Sequence, residues 1–151
     1  MSVGGDAGDR SIRVVLAASD SALSGLLTQS LESEGLFVSA VEGSASEAIA
    51  AVSAHEPDVF VVATDLVGSA LIATARIAAR MPPTKIVVVA HAPDDDDDCL
   101  TYVMVGASGY IDAATDCASL SAAVRDVAAG RAIVPFSAQR RLLDELRAQL
   151  A

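Results

Sequence analysis

Residues 57–68, PDVFVVATDLVG, contain an uninterrupted apolar run that passes directly into a polar loop. The run VFVVA at 59–63 consists mostly of β-branched residues, without alternation of polar and apolar positions. Strands that are buried on both faces of a parallel sheet have this composition. Four further runs are strand candidates, two strong and two weaker: IRVVLA (12–17), IVVVA (86–90), LFVSAV (36–41) and SGYI (108–111).

Amphipathic segments with apolar residues at helical spacing lie between and after these runs. They cover residues 20–34, 44–55, 68–81, 95–105 and 117–129. Because strand and helix alternate five times, the sequence predicts an α/β fold, a doubly wound domain with a five-stranded parallel sheet. In such a sheet the loops at the carboxyl ends of the strands form the natural binding site. These loops are where functional residues are expected.

A sixth helix is predicted after Pro135, over FSAQRRLLDELRAQL at 136–150. Its larger apolar residues recur at intervals of seven, three and four, which is a heptad-like stripe formed by Phe136, Leu143, Leu146 and Leu150. Packing of this stripe on its own domain and pairing with a partner are both compatible with the pattern.

Length and composition indicate one globular domain with no targeting segment. The chain has 151 residues, of which 52% are hydrophobic and 20% charged. Its net charge of −10 argues against binding of nucleic acid or an anionic membrane. No signal peptide pattern and no apolar run of roughly 20 residues is found, so a cytoplasmic location is predicted. The expected divisions are a disordered tail at 1–11, a domain at 12–135 and a C-terminal helix or linker at 136–151.

Cysteines and the acidic run offer no specific chemistry. Cys99 and Cys117 have neither metal-ligand nor redox-motif spacing, and we interpret them as small apolar residues of helices. The run PDDDDDCL at 93–100 lacks the spaced ligands of a calcium loop. A helix start favours acidic residues, so this run is interpreted as a solvated helix N-terminus.

The alternation of strands and helices, together with VMVGASGYI at 103–111, resembles the receiver domain of response regulators, the CheY-like fold. The resemblance is to the branch that precedes LuxR- or NarL-type DNA-binding domains, and it extends from about Ile12 to Pro135. GASGYI is its most specific segment, and RVVLAASD and PDVFVVA agree in position and spacing. The resemblance implies a flavodoxin-like strand topology and a signalling module instead of an enzyme.

The resemblance also implies where a phosphorylation pocket would lie. Family members use an acidic pair that holds a divalent cation, a phosphoacceptor aspartate, a hydroxyl residue and a lysine. The corresponding positions here are, in chain order, Ala18, Ser19, Ala63, Ala90 and Ala113. We interpret this as a degenerate phosphorylation pocket, with no catalytic residue, bound metal or cofactor expected. Tyr110 occupies the aromatic switch position of the family.

Asp65 is an alternative phosphoacceptor. Choosing it requires two extra residues before it and a compensating loss after it, although Leu66 imitates the Asp-Leu pair of the family. On the structural interpretation, Asp65 caps a turn or helix and Asp20 is the N-cap of the first helix. A metal-dependent activity would combine Asp65 with Asp20 and His91.

The leading hypothesis is an atypical receiver domain of a bacterial transcription regulator that signals by protein association, independently of phosphorylation. The resemblance implies two candidate homodimer faces: the first and fifth helices, or the fourth helix with the fifth strand and fifth helix. A DNA-binding domain would be attached outside this chain. Two alternatives stay open, a small-ligand sensor that uses an apolar pocket left by the alanines and a phosphoacceptor that uses Asp65 with a divalent metal.

Overall fold

A computed structural model describes residues 11–90, 96–112 and 119–150, with only the backbone described at positions 96, 97, 136 and 137. Five strands lie in these ranges: β1 (Arg13–Ala17), β2 (Phe37–Glu42), β3 (Val59–Ala63), β4 (Lys85–Ala90) and β5 (Gly109–Asp112). The same ranges contain six helices: α1 (Ser21–Ser33), α2 (Ala45–His55), α3 (Ala70–Arg80), α4 (Asp96–Met104), α5 (Leu120–Ala128) and α6 (Phe136–Leu150).

The sheet has the strand order β2-β1-β3-β4-β5, and all neighbouring strands are parallel. This is the flavodoxin-like and CheY-like order of doubly wound domains. The predicted α/β fold class, including the extra C-terminal helix, is therefore confirmed. Each predicted segment contains or overlaps one observed element, and α6 has the predicted bounds. The predicted tail at 1–11 lies outside the described residues except for its last position.

Both faces of the sheet are covered by helices, and β3 shows how the sequence achieves this. All five residues of β3 are buried. Phe60 and Val62 pack in a cluster with residues of α2, α3 and α4, whereas Val59, Val61 and Ala63 pack with α1 and α5 on the opposite face. Since successive side chains of a strand point to opposite faces, a central strand between two helical layers must be apolar throughout.

β2 is an edge strand and carries a weaker sequence signal for that reason. It pairs with β1 alone in the strand order, and the pairing shifts register between Val14 and Val15. The side chains of Phe37 and Val41 are exposed to solvent. Among the described residues, no further strand pairs with the outer edge of β2, which has two exposed apolar side chains beside it.

The edge formed by β5 is covered by the chain itself. Ile133 forms a parallel bridge with Gly109: its N–H donates to the carbonyl of Ser108 at 3.0 Å, and its carbonyl accepts from the N–H of Tyr110 at 2.8 Å. Two residues further on, Pro135 leads into α6, whose Ala138 is buried in the core beside α4. The start of α6 thus packs on its own domain.

The small residues of the GASGYI segment have a steric cause. Gly106 has a φ of 127°, and a Cβ atom there would lie 2.3 Å from the Cβ atom of Ala78 in α3. A Cβ atom at Gly109 would lie 3.2 Å from Val127 in α5 and 3.3 Å from Val87 in β4. Glycine at these two positions therefore allows the turn from α4 to β5 to lie close to α3 and the start of β5 to lie close to α5 and β4. Within the described ranges, no helix combines the length and apolar character that crossing a membrane requires.

Candidate functional site

The carboxyl ends of β1, β3 and β4 carry three of the alanines that the sequence interpretation assigns to the phosphorylation pocket. Ala63 is completely buried at the end of β3, and Ala18 and Ala90 are 4% and 3% exposed. Ala18 and Ala63 belong to the same apolar cluster, while Ala90 faces the opposite side of the sheet. Their methyl groups are covered by neighbouring atoms and have no polar group to offer. Ala113 lies outside the described residues.

Asp65, the alternative phosphoacceptor, holds the loop that follows β1. One carboxylate oxygen, Oδ2, accepts a hydrogen bond from the backbone N–H of Asp20 at 2.9 Å. The other, Oδ1, accepts from the N–H of Ser19 at 3.3 Å. The sequence predicts that Asp65 caps a turn or a helix. The structure instead places its oxygens on a loop 45 and 46 residues away in the chain.

Ser19 joins three loops through its hydroxyl group. The hydroxyl donates to the carbonyl of Gly43 after β2 at 2.8 Å, and it accepts from the N–H of Val67 after β3 at 2.7 Å. Together with the two bonds of Asp65, these contacts connect the loops after β1, β2 and β3. We call this set, made of the Ser19 and Asp65 side chains and their four backbone partners, the loop network.

Gly68 explains how the β3 loop approaches α2 closely enough for this network. Its φ is 89°, and a Cβ atom there would lie 3.1 Å from the Cβ atom of Ala45, the first residue of α2. The N–H of Ala45 donates to the carbonyl of Val67 at 2.8 Å. A glycine is favoured at this position because it tolerates both the backbone conformation and the close contact.

Asp20 has the predicted capping role. Its Oδ1 accepts from the N–H groups of Ala22 at 2.8 Å and Leu23 at 3.3 Å, so it is the N-cap of α1. Ser44 caps α2 in the same way, accepting from the N–H of Glu47 at 3.3 Å. Among the described residues, no group of three or more histidine, cysteine or acidic side chains is placed to hold a metal ion. His91 and positions 93–95 of the acidic run lie outside the described ranges.

Tyr110 is a buried aromatic residue of β5. Its ring centroid lies 6.0 Å from that of Tyr102 in α4, with a tilt of 43° between the rings. This geometry is favourable for two aromatic rings in a core, and a switch role for Tyr110 stays a prediction. Cys99 is buried in the same cluster, as expected of a small apolar residue, while Cys117 lies outside the described residues.

The loop network was missed by the sequence interpretation, which treated Ser19 only as a lost carboxylate. A hydroxyl residue two positions after a buried strand was the available signal, because side chains there are close to the loops of neighbouring strands. Its partners, Gly43 and Val67, contribute backbone atoms only. Backbone partners leave no trace in residue identity, so the sequence could not name them.

Comparison with known proteins relates the chain to regulators of transcription. No protein-family model matches it. The DNA-binding transcriptional activator DevR/DosR of Mycobacterium tuberculosis is 33% identical to it over 106 residues, which cover 70% of this chain and 48% of the relative. The chain therefore spans about half the length of that protein.

Solved structures extend the likeness to nearly the whole described chain. A two-component response regulator of the LuxR family from Aurantimonas sp. SI85-9A1 superposes with a TM-score of 0.78 at 23% identity, covering 89% of this chain and 97% of the other. RcsB, solved as two dimers bound to two parallel DNAs, superposes with a TM-score of 0.77 at 15% identity, covering 87% and 67%. At these identities the likeness concerns the fold.

Proposed function

We propose that this chain, which has the receiver fold of LuxR-type response regulators, is a signalling module that acts by protein association without phosphoryl transfer. The observation that carries the proposal is Ala63 at the end of β3, where the family resemblance implies the phosphoacceptor. Its methyl group cannot act as a nucleophile, and it is fully buried. In this proposal residues 12–135 are the module, and 136–151 are the linker to a DNA-binding domain outside this chain.

The missing charges around Ala63 support the same reading. Phosphoryl transfer requires a cation and positive side chains that offset the charge of the transferred group. Ala18 and Ser19 stand at the positions of the cation-binding acidic pair and have no carboxylate. The only lysine of the chain, Lys85, is the first residue of β4 and so lies at the opposite end of that strand from Ala90.

The bonding of Asp65 also favours the proposal over phosphorylation of this residue. Both of its carboxylate oxygens accept backbone hydrogen bonds, from Ser19 and from Asp20. Each hydrogen bond draws electron density from the oxygen that accepts it, so both oxygens of Asp65 are weaker nucleophiles than those of a carboxylate without such bonds. Asp65 is thus better suited to hold the loop than to react.

A second copy of the chain is the proposed partner, and the two candidate faces differ in the structure. The face of α4, β5 and α5 is partly covered, because α6 packs on α4 and Ile133 pairs with the edge of β5. The face of α1 and α5 includes Leu26, whose side chain is 54% exposed. RcsB, which has the same fold, has been solved as DNA-bound dimers, and a homodimer here is proposed by analogy.

The test is the intact mass of the chain after incubation with a small phosphodonor and Mg²⁺. An active receiver domain is labelled in parallel, and the Asp65→Asn variant serves as the matched control. We expect no phosphoryl adduct on the wild-type chain while the active receiver is labelled. An adduct that disappears in Asp65→Asn would overturn the proposal and identify Asp65 as the acceptor. An adduct that persists in the variant would overturn it in favour of another acceptor.

A further inference from the structure

α6 has two apolar sides, and the domain uses only one of them. Ala138 is buried against the core and Leu142 is half-buried. Leu143, Leu146 and Leu150 are 50%, 57% and 86% exposed. We call these three leucines the outer stripe. They belong to the heptad-like pattern in the sequence, so the domain leaves these three apolar positions of the pattern uncovered.

The end of α6 is not covered by the residues that the structure describes. Every residue from 143 to 150 is exposed. A helix of this length gains little from intrinsic propensity, because isolated helices shorter than about 12 to 15 residues are marginal in water. An exposed leucine stripe on such a segment is stabilised when another apolar surface covers it.

We propose that the outer stripe is a self-association surface, on which α6 of a second copy packs in parallel as a short coiled coil. Leu143 and Leu150 take the a positions of a heptad and Leu146 takes the d position. The same stripe on both copies is self-complementary about a two-fold axis. The outer stripe is thus the place where the dimer of the proposed function would form. Only the biological role of this dimer rests on the proposed function.

The charges beside the stripe select the parallel orientation. Arg140 and Arg147 lie on one flank at e positions, and Leu142 and Gln149 lie on the other flank at g positions. In a parallel pair the e flank of one helix faces the g flank of the other, so Arg147 would face Leu142 of the second copy. In an antiparallel pair the two arginine flanks would face each other and repel.

Net charge favours α6 as the part of the surface where two copies meet. The whole chain carries −10, so two copies repel each other at long range. Residues 136–150 contain three arginines and two acidic residues, which gives this segment a net charge of +1. Contact through α6 therefore brings two copies together at a segment that does not add to their negative charge, so the long-range repulsion opposes this contact less than contact through an acidic face.

The first experiment measures the dimer dissociation constant of the full chain by sedimentation velocity. The Leu146→Glu variant is compared with Leu26→Glu, since Leu26 on α1 has nearly the same exposure, 54% against 57%. We expect a dimer for the wild type and Leu26→Glu, and a dissociation constant raised at least about tenfold for Leu146→Glu. Far-UV circular dichroism establishes that both variants are folded.

Three results would overturn the proposal. One is a wild-type chain that stays monomeric at every concentration. Another is a dimer that Leu26→Glu breaks and Leu146→Glu does not, which would place the interface on α1. The third is equal weakening by both variants, which would show a nonspecific effect of the added charge.

The second experiment tests the orientation by disulfide cross-linking of Leu150→Cys in a chain whose native cysteines are changed to alanine. In the parallel arrangement the two introduced cysteines face each other, and oxidation yields a covalent dimer. In an antiparallel arrangement position 150 faces the region of Leu143 in the other copy, and no efficient cross-link forms. Absence of the cross-link in a chain that still dimerises would overturn the parallel arrangement.

These experiments separate the two proposals. Sedimentation and cross-linking are carried out without a phosphodonor, and the phosphoryl adduct is read from the mass of the chain. A phosphorylated chain with an intact α6 dimer would refute the proposed function alone. A chain without adduct and without an α6 dimer would refute the outer stripe alone.

Discussion

The loop network and the end of α6 both lie at the surface, but they differ in how much of their bonding capacity the fold uses. In the loop network, two side chains satisfy four backbone groups from three loops. In α6, the three leucines of the outer stripe stay largely exposed. The polar groups of Ser19 and Asp65 are therefore used within the fold, whereas the leucines of the outer stripe are left for contacts that the domain itself does not provide.

The greatest loss of stability is expected when an acidic residue is introduced at the end of β3. Ala63→Asp places a carboxylate at a fully buried position in an apolar cluster. Burying a charge without a partner costs several kcal/mol, so we expect the free energy of unfolding to fall by about 3 kcal/mol or more. Urea denaturation followed by circular dichroism measures the loss.

Ala63→Asn is the matched control for this substitution, since it has a similar shape without the charge. We expect a smaller loss of stability than with aspartate. Equal stability of Ala63→Asp and the wild type would mean that the end of β3 is open to water or a cation. It would contradict the view that this position has become part of the core.

A smaller loss is expected when the loop network is broken at Asp65. Asp65→Ala leaves the N–H groups of Ser19 and Asp20 without their acceptor. Because the site is only half-buried and water can replace the carboxylate in part, the free energy of unfolding should fall by about 1–2 kcal/mol. Asp144→Ala on α6, an exposed aspartate with one surface ion pair, should change it by less than about 0.5 kcal/mol.

A double-mutant cycle with Ser19→Ala sharpens this prediction. The two side chains hold the same loop, so their substitutions should be non-additive by at least about 0.5 kcal/mol. Additive losses would show that Asp65 and Ser19 stabilise the loops independently, and the loop network would then be two separate contacts.

The smallest effect is expected from removing the end of α6. A chain that stops after Leu142 loses residues 143–150, all of which are exposed, and the final alanine. In dilute solution, where the wild type is monomeric, its free energy of unfolding should change by less than about 0.5 kcal/mol. A larger loss in dilute solution would mean that the end of α6 packs on its own domain, and the contrast between the two regions would disappear.

Strand and helix order could be predicted because burial on both sides of the sheet requires continuous apolar runs. The runs VFVVA and IVVVA have the composition of strands that are buried on both faces. The register shift between β1 and β2 could not be predicted, because it depends on how two strands pair and not on the composition of either. The length of α6 followed from its pattern. The side of α6 that packs on the domain could not be predicted from the pattern. The residue that is buried there, Ala138, is smaller than the leucines that stay exposed.

The positions of residues in the candidate site could be predicted from the sequence, but the contacts of their side chains could not. The sequence places Ala63 at the end of the VFVVA run, and the structure ends β3 at this residue. The carboxylate of Asp65 points to a loop 45 residues away, and this depends on the conformations of two loops together. A short loop has no periodic pattern that would reveal such a direction.

The difference between the two edges of the sheet affects how the protein aggregates in solution. Ile133 covers the edge of β5, whereas in the described part of the chain nothing pairs with the outer edge of β2, beside which Phe37 and Val41 are exposed. Repulsion between copies with a net charge of −10 keeps such edges apart at neutral pH. This repulsion is screened beyond roughly 10 Å at 0.1 M salt, and it vanishes near the pI of about 4.4. In acid or concentrated salt, the edge strand β2 of one copy can therefore pair with that of another. We expect aggregation to begin at this edge.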